Sequence, residues 1–148
     1  MIYLISLIVF LLDFGSKFWV MKALVPHDPV FVFHCFNLYL TFNRGVSFSM
    51  FSSRSSLGVW ALIGLTSLIS GVIIYFIQKE KEVLTRIGLA FVLGGAIGNL
   101  IDRIRFGSVV DFLDFYWGKY HWPAFNVADS AICIGAILIL YQYIRRKK

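Results

Sequence analysis

Five aspartates stand in or beside apolar stretches of the sequence, where an ionised carboxylate is costly to keep: Asp13, Asp102, Asp111, Asp114 and Asp129. A charged side chain at the centre of a bilayer costs at least about 2.5 kcal/mol, so residues of this kind usually have a task. Two carboxylates held close together share one proton, and the ionised member can then act as a base toward water. A proton-sharing pair of aspartates is therefore the first hypothesis for chemistry in this chain.

Two of these acids follow an asparagine at a spacing of three residues. The pairs are Asn99 with Asp102 in GNLIDR, and Asn126 with Asp129 in FNVADS. This spacing puts the amide and the carboxylate on one face of a helix, where the amide can hydrogen-bond and orient the acid. The repeat nominates Asp102 and Asp129 as partners, although two such polar patches could also serve only to hold two helices together.

Local charges favour a different partner for Asp129. Asp102 is followed directly by Arg103, and a carboxylate beside a guanidinium is held ionised, which suits orientation better than proton exchange. Asp111 has apolar neighbours in SVVDF, which favour a raised pKa. We therefore predict that Asp111 and Asp129 form the proton-sharing pair, and that Asp102 is a brace paired with arginine.

The two remaining acids receive structural interpretations. Lys17 follows Asp13 by four residues, which is one turn along the same helical face. This pattern predicts an internal ion pair that fixes the first span. Asp114 has no supporting pattern and is interpreted as an acid of an outer loop.

Membrane-spanning helices must position these residues. The chain has 148 residues, of which 59% are hydrophobic and 15% charged, and its mean hydropathy is +0.78. A bilayer crossing needs about 20 apolar residues, and four segments satisfy this within one domain, 1–148. They lie at about 2–24, 56–78, 84–104 and 125–144. The first is not predicted to be a cleaved signal peptide, since it lacks a basic start and carries internal charges.

The basic residues predict how the spans are oriented. Seven of them lie in two short stretches, the 78–86 connection and the C-terminal tail, whereas the longer 25–55 and 105–123 connections hold four. The positive-inside rule therefore predicts that both termini are cytoplasmic and that the two long connections are outer loops. This anchoring accounts for most of the formal charge of +6, and no basic patch interleaved with aromatic residues suggests nucleic acid. The cysteines and histidines lack disulfide or metal-ligand spacing.

Residues 30–58 of the first outer loop are predicted to cover the acids. Residues 29–51 are rich in β-branched and aromatic side chains and predict short extended strands that turn at 43–45. Residues 48–58 predict a short helix in the membrane interface. Residues 105–123 are predicted to be a loop that bends at its two glycines. The predicted fold class is thus an all-α polytopic membrane protein, with four transmembrane helices, a small extracytoplasmic β subdomain and a short interfacial helix.

The connectivity of the spans brings three acids together. The third span runs outward and the fourth returns, so Asp102 lies near the end of one and Asp129 near the start of the other. Asp111 follows the Gly107 bend between them. We therefore expect these three carboxylates to meet at similar depth, near the outer face of the membrane.

Other function classes remain open on these residues. A carrier or channel subunit could use the acids as a proton relay, but no acid lies on the cytoplasmic half of the second, third or fourth span to complete a path. A structural four-helix subunit would use them as helix glue and would leave the outer Asp/Asn/Arg group without a task. A serine or cysteine hydrolase is weaker, since no serine lies in a G-x-S-x-G context.

The motifs, taken in order, resemble those of the bacterial lipoprotein signal peptidases, and the resemblance covers nearly the whole chain. The matching stretches are LDFGSK at 12–17, NRGVSFS at 43–49, GGAIGNLIDR at 94–103, GSVVDF at 107–112 and PAFNVADS at 123–130. Ser16 stands where threonine or serine is usual, while Val46 and Ser47 depart from the usual alanines.

The resemblance implies an aspartic endopeptidase of the bacterial inner membrane. Such an enzyme removes the signal peptide from prolipoproteins after the lipobox cysteine has received diacylglycerol, and it cuts just before that cysteine. The implied catalytic pair is Asp111 and Asp129, with no metal or organic cofactor. The implied partners are diacylglyceryl-prolipoproteins and membrane lipids, without nucleic acid, and no oligomer is indicated. The residues implied to line or brace the pocket are Asn43, Gly45, Asn99, Asp102, Arg103, Asn126 and Ala128.

Overall fold

Four long helices form the body of the protein in a computed structural model, which describes residues 1–45 and 56–147. They are α1 (Ile2–Ala23), α2 (Ser56–Lys79), α3 (Val83–Phe106) and α4 (Val127–Arg146). Each helix is long and apolar enough to cross a membrane. Each of the four spans expected from the sequence coincides with one of them, so the protein is a multi-pass membrane protein.

Helix α3 is the centre of the bundle, since it packs against α1, α2 and α4. Glycines on α3 allow the closest approaches. A Cβ added at Gly95 would collide with the backbone carbonyl of Ala128 on α4, and one added at Gly98 would collide with the Asp13 carboxylate on α1. Helices in lipid associate through such close packing and through polar contacts. These glycines therefore let α1 and α4 bring polar groups directly against α3.

A four-stranded antiparallel sheet lies at the end of the bundle where α1 and α3 end and α2 and α4 begin. Its strands, in spatial order, are β1 (Val30–Phe33), β2 (Phe36–Asn43), β3 (Val109–Trp117) and β4 (Tyr120–His121). Strands β2 and β3 come from different connections, and Thr41 pairs with Asp111 across them. The sheet therefore joins the α1–α2 connection to the α3–α4 connection.

The structure corrects two expectations for these connections. Residues 105–123 are not a loop, because β3 and β4 occupy most of them; the β-branched and aromatic composition that predicted strands in the first connection is present here too. The two strands of the first connection turn into each other at His34 and Cys35, where Cys35 has φ 72°, whereas the turn predicted at 43–45 is present but follows the end of β2. The predicted bends at Gly107 and Gly118 are present, with φ of 67° and 60°.

The predicted interfacial helix falls mostly outside the described residues. Residues 46–55 are not described, and Ser56–Gly58 are the first residues of α2.

A small hydrophobic core fixes the sheet to the bundle. Val20 of α1, Leu40 of β2 and two residues of β3, Val110 and Phe112, are at most 4% exposed and pack together. These two β3 residues flank Asp111. Because neighbouring side chains on a strand point to opposite faces, their burial against α1 directs Asp111 the other way, toward α3 and α4.

Candidate active site

Asp129 is held in the first turn of α4 by the residue that caps this helix. Asn126 precedes Val127, the first helical residue, and its Oδ1 accepts a hydrogen bond of 2.8 Å from the backbone N–H of Asp129. An asparagine in this position satisfies one of the free N–H groups of a helix start. The partial positive charge of the same helix end favours an acidic side chain there. The local sequence FNVADS therefore fixes where this carboxylate sits.

Asp111 lies on β3 opposite Thr41 and is only 1% exposed. Asn126 Nδ2 donates a hydrogen bond of 2.7 Å to its Oδ1. Burial raises the pKa of Asp111 to about 6; the hydrogen bond from Asn43 opposes this rise, and the negative charge of Asp129 adds to it. One asparagine thus contacts both candidate catalytic aspartates, through its amide nitrogen on one side and its amide oxygen on the other.

Asn99 supplies a second amide to the same group. Its Nδ2 donates to Asp129 Oδ1 at 2.8 Å. Its Oδ1 accepts from Lys17 Nζ at 3.0 Å and from Asn126 Nδ2 at 3.3 Å. The side chain of Asp129 is therefore oriented from α3, whereas its backbone is fixed by the cap of its own helix.

Neither asparagine orients the carboxylate of the aspartate three residues after it, as the spacing predicted. Asn99 orients Asp129 and not its own motif partner Asp102, which faces α1. The shortest hydrogen bond that Asn126 Nδ2 donates is to Asp111, and Asn126 contacts Asp129 only at the backbone. The reason is that Asn126 is the extended residue before the helix, with φ −136°, so the same-face rule for helical residues does not apply to it.

Asp102 has a lysine as its cationic partner. Lys17 Nζ lies 2.8 Å from Asp13 Oδ2 and 2.8 Å from Asp102 Oδ2. The ion pair predicted between Asp13 and Lys17 is therefore present, and the arginine partner predicted for Asp102 is wrong. Successive residues of a helix point about 100° apart, so Arg103 cannot share the face on which Asp102 meets α1.

The two acids paired with Lys17 also hold backbone groups of the candidate site. Asp102 Oδ2 accepts from the N–H of Val110 at 3.0 Å. Asp13 Oδ1 accepts from the N–H of Ala128 at 2.8 Å. Each of these amides belongs to the residue directly before a candidate catalytic aspartate. Ala128, which is completely buried, thus contributes through its main chain.

Arg103 faces the candidate pair from α3. Its Nη1 donates to the backbone oxygen of Asn99 at 3.2 Å. The side chain is partly buried, and the charges that act on it are those of Asp129, Asp102 and Asp111, in decreasing order. A cation in this position can stabilise negative charge that develops beside the two aspartates.

Asn43 and Gly45 close the site from the end of β2. Asn43 Oδ1 accepts from the N–H of Gly45 at 2.9 Å, and its side chain also hydrogen-bonds to Asp111. Gly45 has φ +80°, and a Cβ there would lie 3.0 Å from a methyl group of Leu62 on α2. The exposed amide of Asn43 is thus held over the carboxylate by a tight turn that rests on α2.

Asp114 is the residue that the sequence interpretation placed wrongly. It lies on β3, not in a loop, and is 4% exposed. Asn37 Nδ2 donates to its Oδ2 at 3.1 Å, and His121 Nδ1 lies 2.9 Å from its Oδ1. A cavity of about 430 Å³ opens beside it. The residues that line this cavity are Pro29, Tyr39, Asp114, His121, Trp122, Pro123 and Ala124.

Within residues 1–45 and 56–147, no group of three or more histidine, cysteine, aspartate or glutamate side chains is arranged to hold a metal ion. The acids of the candidate site instead have amide, ammonium and guanidinium neighbours. These groups supply donors and positive charge of their own.

The fold and the site define a class of protein: a four-span membrane protein with one buried and one half-buried aspartate, Asp111 and Asp129, at the end of the bundle that carries the sheet. The chain belongs to the signal peptidase II family, whose sequence model matches residues 5–145. It is therefore a membrane peptidase, and this membership does not favour a transport or purely structural role.

Individual relatives agree with this assignment. The chain is 41% identical to the lipoprotein signal peptidase of Vibrio vulnificus, covering 97% of this chain and 88% of the relative. It is 44% identical to that of Desulforapulum autotrophicum, covering 97% and 91%. Its fold is similar to that of a bacterial membrane enzyme solved in meso at 1.9 Å, with a TM-score of 0.85 and 29% identity over 95% of this chain and 90% of the other.

Proposed function

We propose that this protein is an aspartic endopeptidase that removes the signal peptide from diacylglyceryl-modified prolipoproteins, cutting just before the lipidated cysteine. The name of its relatives, lipoprotein signal peptidase, supports the substrate class. The observation that carries the catalytic type is the bridging position of Asn126, which contacts Asp111 on one side and Asp129 on the other. The contact to Asp129 is made at its backbone N–H, and the negative charge of Asp129 acts on the Asp111 carboxyl group, which supports a pair of acids that shares one proton.

The chemistry follows from this shared proton. Burial raises the pKa of Asp111 to about 6, with Asp129 contributing in the same direction, so one proton stays with the pair at a pH where an ordinary aspartate has lost it. The ionised member takes a proton from water, and that water attacks the scissile carbonyl. The protonated member hydrogen-bonds to the developing oxyanion, and Arg103 adds positive charge nearby. When the C–N bond of the tetrahedral intermediate breaks, one of the two protons then held by the pair passes to the leaving amine, so the pair again holds one proton. The two titrate as a unit, so the proton belongs to the pair.

The orientation of the enzyme follows from its charges. We place both termini in the cytoplasm, because seven basic residues lie at that end of the spans. The sheet and the two aspartates then lie near the outer face of the membrane. A signal helix that enters from the lipid would present its C-terminal end at this depth, and the acyl chains of the substrate would lie against the apolar outer surface of the bundle.

The test is cleavage of a lipidated prolipoprotein by purified protein in lipid nanodiscs, followed by the mobility shift of the product. We expect cleavage by the wild type and none by Asp111→Asn or Asp129→Asn. Asp28→Asn is the matched control, because Asp28 lies in an exposed turn away from the site. Each variant is first shown to be folded by thermal unfolding.

Three outcomes would change the proposal. Wild-type activity in folded Asp111→Asn would remove this residue from the catalytic pair. Equal cleavage of a prolipoprotein without diacylglycerol would show that the lipid is not part of recognition. Loss of activity in EDTA, restored by a metal ion, would replace the aspartic mechanism by a metal-dependent one.

A further inference from the structure

Lys17 is the buried cation at the centre of the polar network, and it is 2% exposed. Its Nζ lies 2.8 Å from Asp13 Oδ2, 2.8 Å from Asp102 Oδ2 and 3.0 Å from Asn99 Oδ1. An ammonium group has three N–H donors, and three oxygen atoms lie within 3.0 Å of this one. Among the described residues these are its partners, and neither candidate catalytic aspartate is one of them.

Each of the three partners of Lys17 also hydrogen-bonds to one of the two proposed catalytic aspartates or to the residue directly before it. Asp13 accepts from the backbone N–H before Asp129, and Asp102 accepts from the backbone N–H before Asp111. Asn99 donates directly to Asp129 Oδ1. One ammonium group therefore connects three of the groups that hold the two aspartates in place. These three groups come from α1 and α3, whereas the aspartates lie on β3 and α4.

The charge of Lys17 also decides which way the amide of Asn99 points. Its Oδ1 faces two donors, Lys17 Nζ and Asn126 Nδ2, so its Nδ2 must face Asp129. If the amide turned over, its N–H groups would meet these donors. A protonated Asp129 would tolerate the reversed amide, but the ammonium group does not. Asn99 therefore continues to donate to Asp129 whichever aspartate holds the shared proton.

We propose that Lys17 is a positioning residue for peptide cleavage, which sets the separation and orientation of Asp111 and Asp129 through Asp13, Asp102 and Asn99. This inference rests on the proposed function. It assigns Lys17 a task beyond the ion pair with Asp13, since an ion pair that only stabilised α1 would need neither Asn99 nor Asp102.

The test uses the double variant Asp13→Asn/Lys17→Met next to Lys17→Met. The single variant leaves two buried carboxylates without a cation and is expected to unfold at a lower temperature. The double variant removes one charge of each sign, so the net charge of the cluster is unchanged, and an asparagine at position 13 can still accept from Ala128. Ser6→Ala is the control for an ordinary buried contact, because Ser6 on α1 donates to the Ala90 backbone oxygen, far from the pair.

We expect the double variant to remain folded and to lose about 10- to 100-fold in kcat, with KM for the lipidated substrate within about threefold of the wild type. We also expect the pH midpoint of kcat to move, because the geometry of the acid pair changes. The folded fraction is measured at each pH and kcat is expressed per folded molecule, because stability itself depends on pH. Ser6→Ala should keep wild-type kcat and its pH profile.

Wild-type kcat and pH profile in the folded double variant would overturn the proposal. So would a loss that combines multiplicatively with that of Asn99→Ala, because Lys17 would then not act through this amide. Absence of cleavage by the wild type would refute the proposed function instead. In that case infrared titration of the protonated carboxyl band, assigned with Asp111→Asn and Asp129→Asn, reports the pair without substrate, and an unchanged band in the double variant would refute the positioning role.

Discussion

Asp111 and Asp114 lie three residues apart on β3, face opposite sides of the strand, and are almost equally buried. The neighbours of Asp111 are two amides and a second acid, whereas those of Asp114 are one amide and an imidazole. An acid beside an acid retains a proton, but an acid beside a group that can carry positive charge can form an ion pair. Burial alone therefore does not distinguish the proposed catalytic carboxylate from Asp114, whereas the groups beside each carboxylate do.

The largest expected difference between the two acids is in activity. Asp111→Asn should lower kcat/KM for lipidated prolipoprotein by at least about a thousandfold, because the proton-sharing pair is destroyed. Asp114→Asn should remain within about tenfold of the wild type, since it alters only the opposite face of the sheet. Initial cleavage rates across a substrate series measure both values. Equal losses in two folded variants would mean that both faces of β3 take part in catalysis.

The next difference is in stability, and its sign depends on pH. The folded-state pKa of Asp111 is raised from 3.8 to about 6, so the folded protein binds more protons than the unfolded chain between these values. The resulting stabilisation is complete below about pH 4 and is lost as the pH rises through about 6. A shift of this size corresponds to about 3 kcal/mol.

Asp111→Asn removes this titration and keeps an oxygen that can accept from Asn126. Its Tm should therefore be close to that of the wild type at about pH 4 and should exceed it by a growing margin toward about pH 7. Thermal unfolding in one detergent across this range measures the margin. A constant offset between the two proteins at every pH would show that burial does not perturb this carboxyl group.

The positions of the four spans and the proximity of the acids could be predicted, because both depend on the order of the segments along the chain. Apolar runs of sufficient length must cross the bilayer, and a helix that leaves the membrane and one that re-enters it bring their near ends together. The same reasoning predicts that Asp111 and Asp129 lie near each other, and in the structure Asn126 contacts both residues. Their catalytic role stays a prediction.

The partners of the individual acids could not be predicted, because they depend on which face each helix turns to its neighbours. Asp102 adjoins Arg103 in sequence but meets Lys17, which is 85 residues away, and a Cβ at Gly98 would disturb the α1 face from which Lys17 approaches. Similarly, Asp114 looked like a loop acid because strand pairing between two distant connections is a long-range property. Local sequence gives the residue types at the site, whereas helix packing decides their pairing.

Two asparagines, one beside each acid of β3, allow a second comparison of the two faces, with an expected loss of kcat of intermediate size. Asn126 donates to Asp111 at 2.7 Å, and Asn37 donates to Asp114 at 3.1 Å. Asn126→Ala should lower kcat about 100-fold, because it releases Asp111 and also removes the cap that fixes Asp129. Asn37→Ala should leave kcat within about twofold. Comparable losses of kcat in the two variants would contradict the division of β3 into a catalytic and a structural face.

The smallest expected effect is that of His121→Ala. The side chain of His121 is 54% exposed, and its contact of 2.9 Å with Asp114 is largely screened by solvent. An ion pair of this kind contributes about 1 kcal/mol or less. We therefore expect a small decrease in Tm and wild-type kcat for the lipidated substrate. His121→Ala could instead keep a nearly wild-type Tm and lose as much cleavage activity as Asp111→Asn. The imidazole would then take part in the reaction, and the proposed division between the two faces of β3 would be wrong.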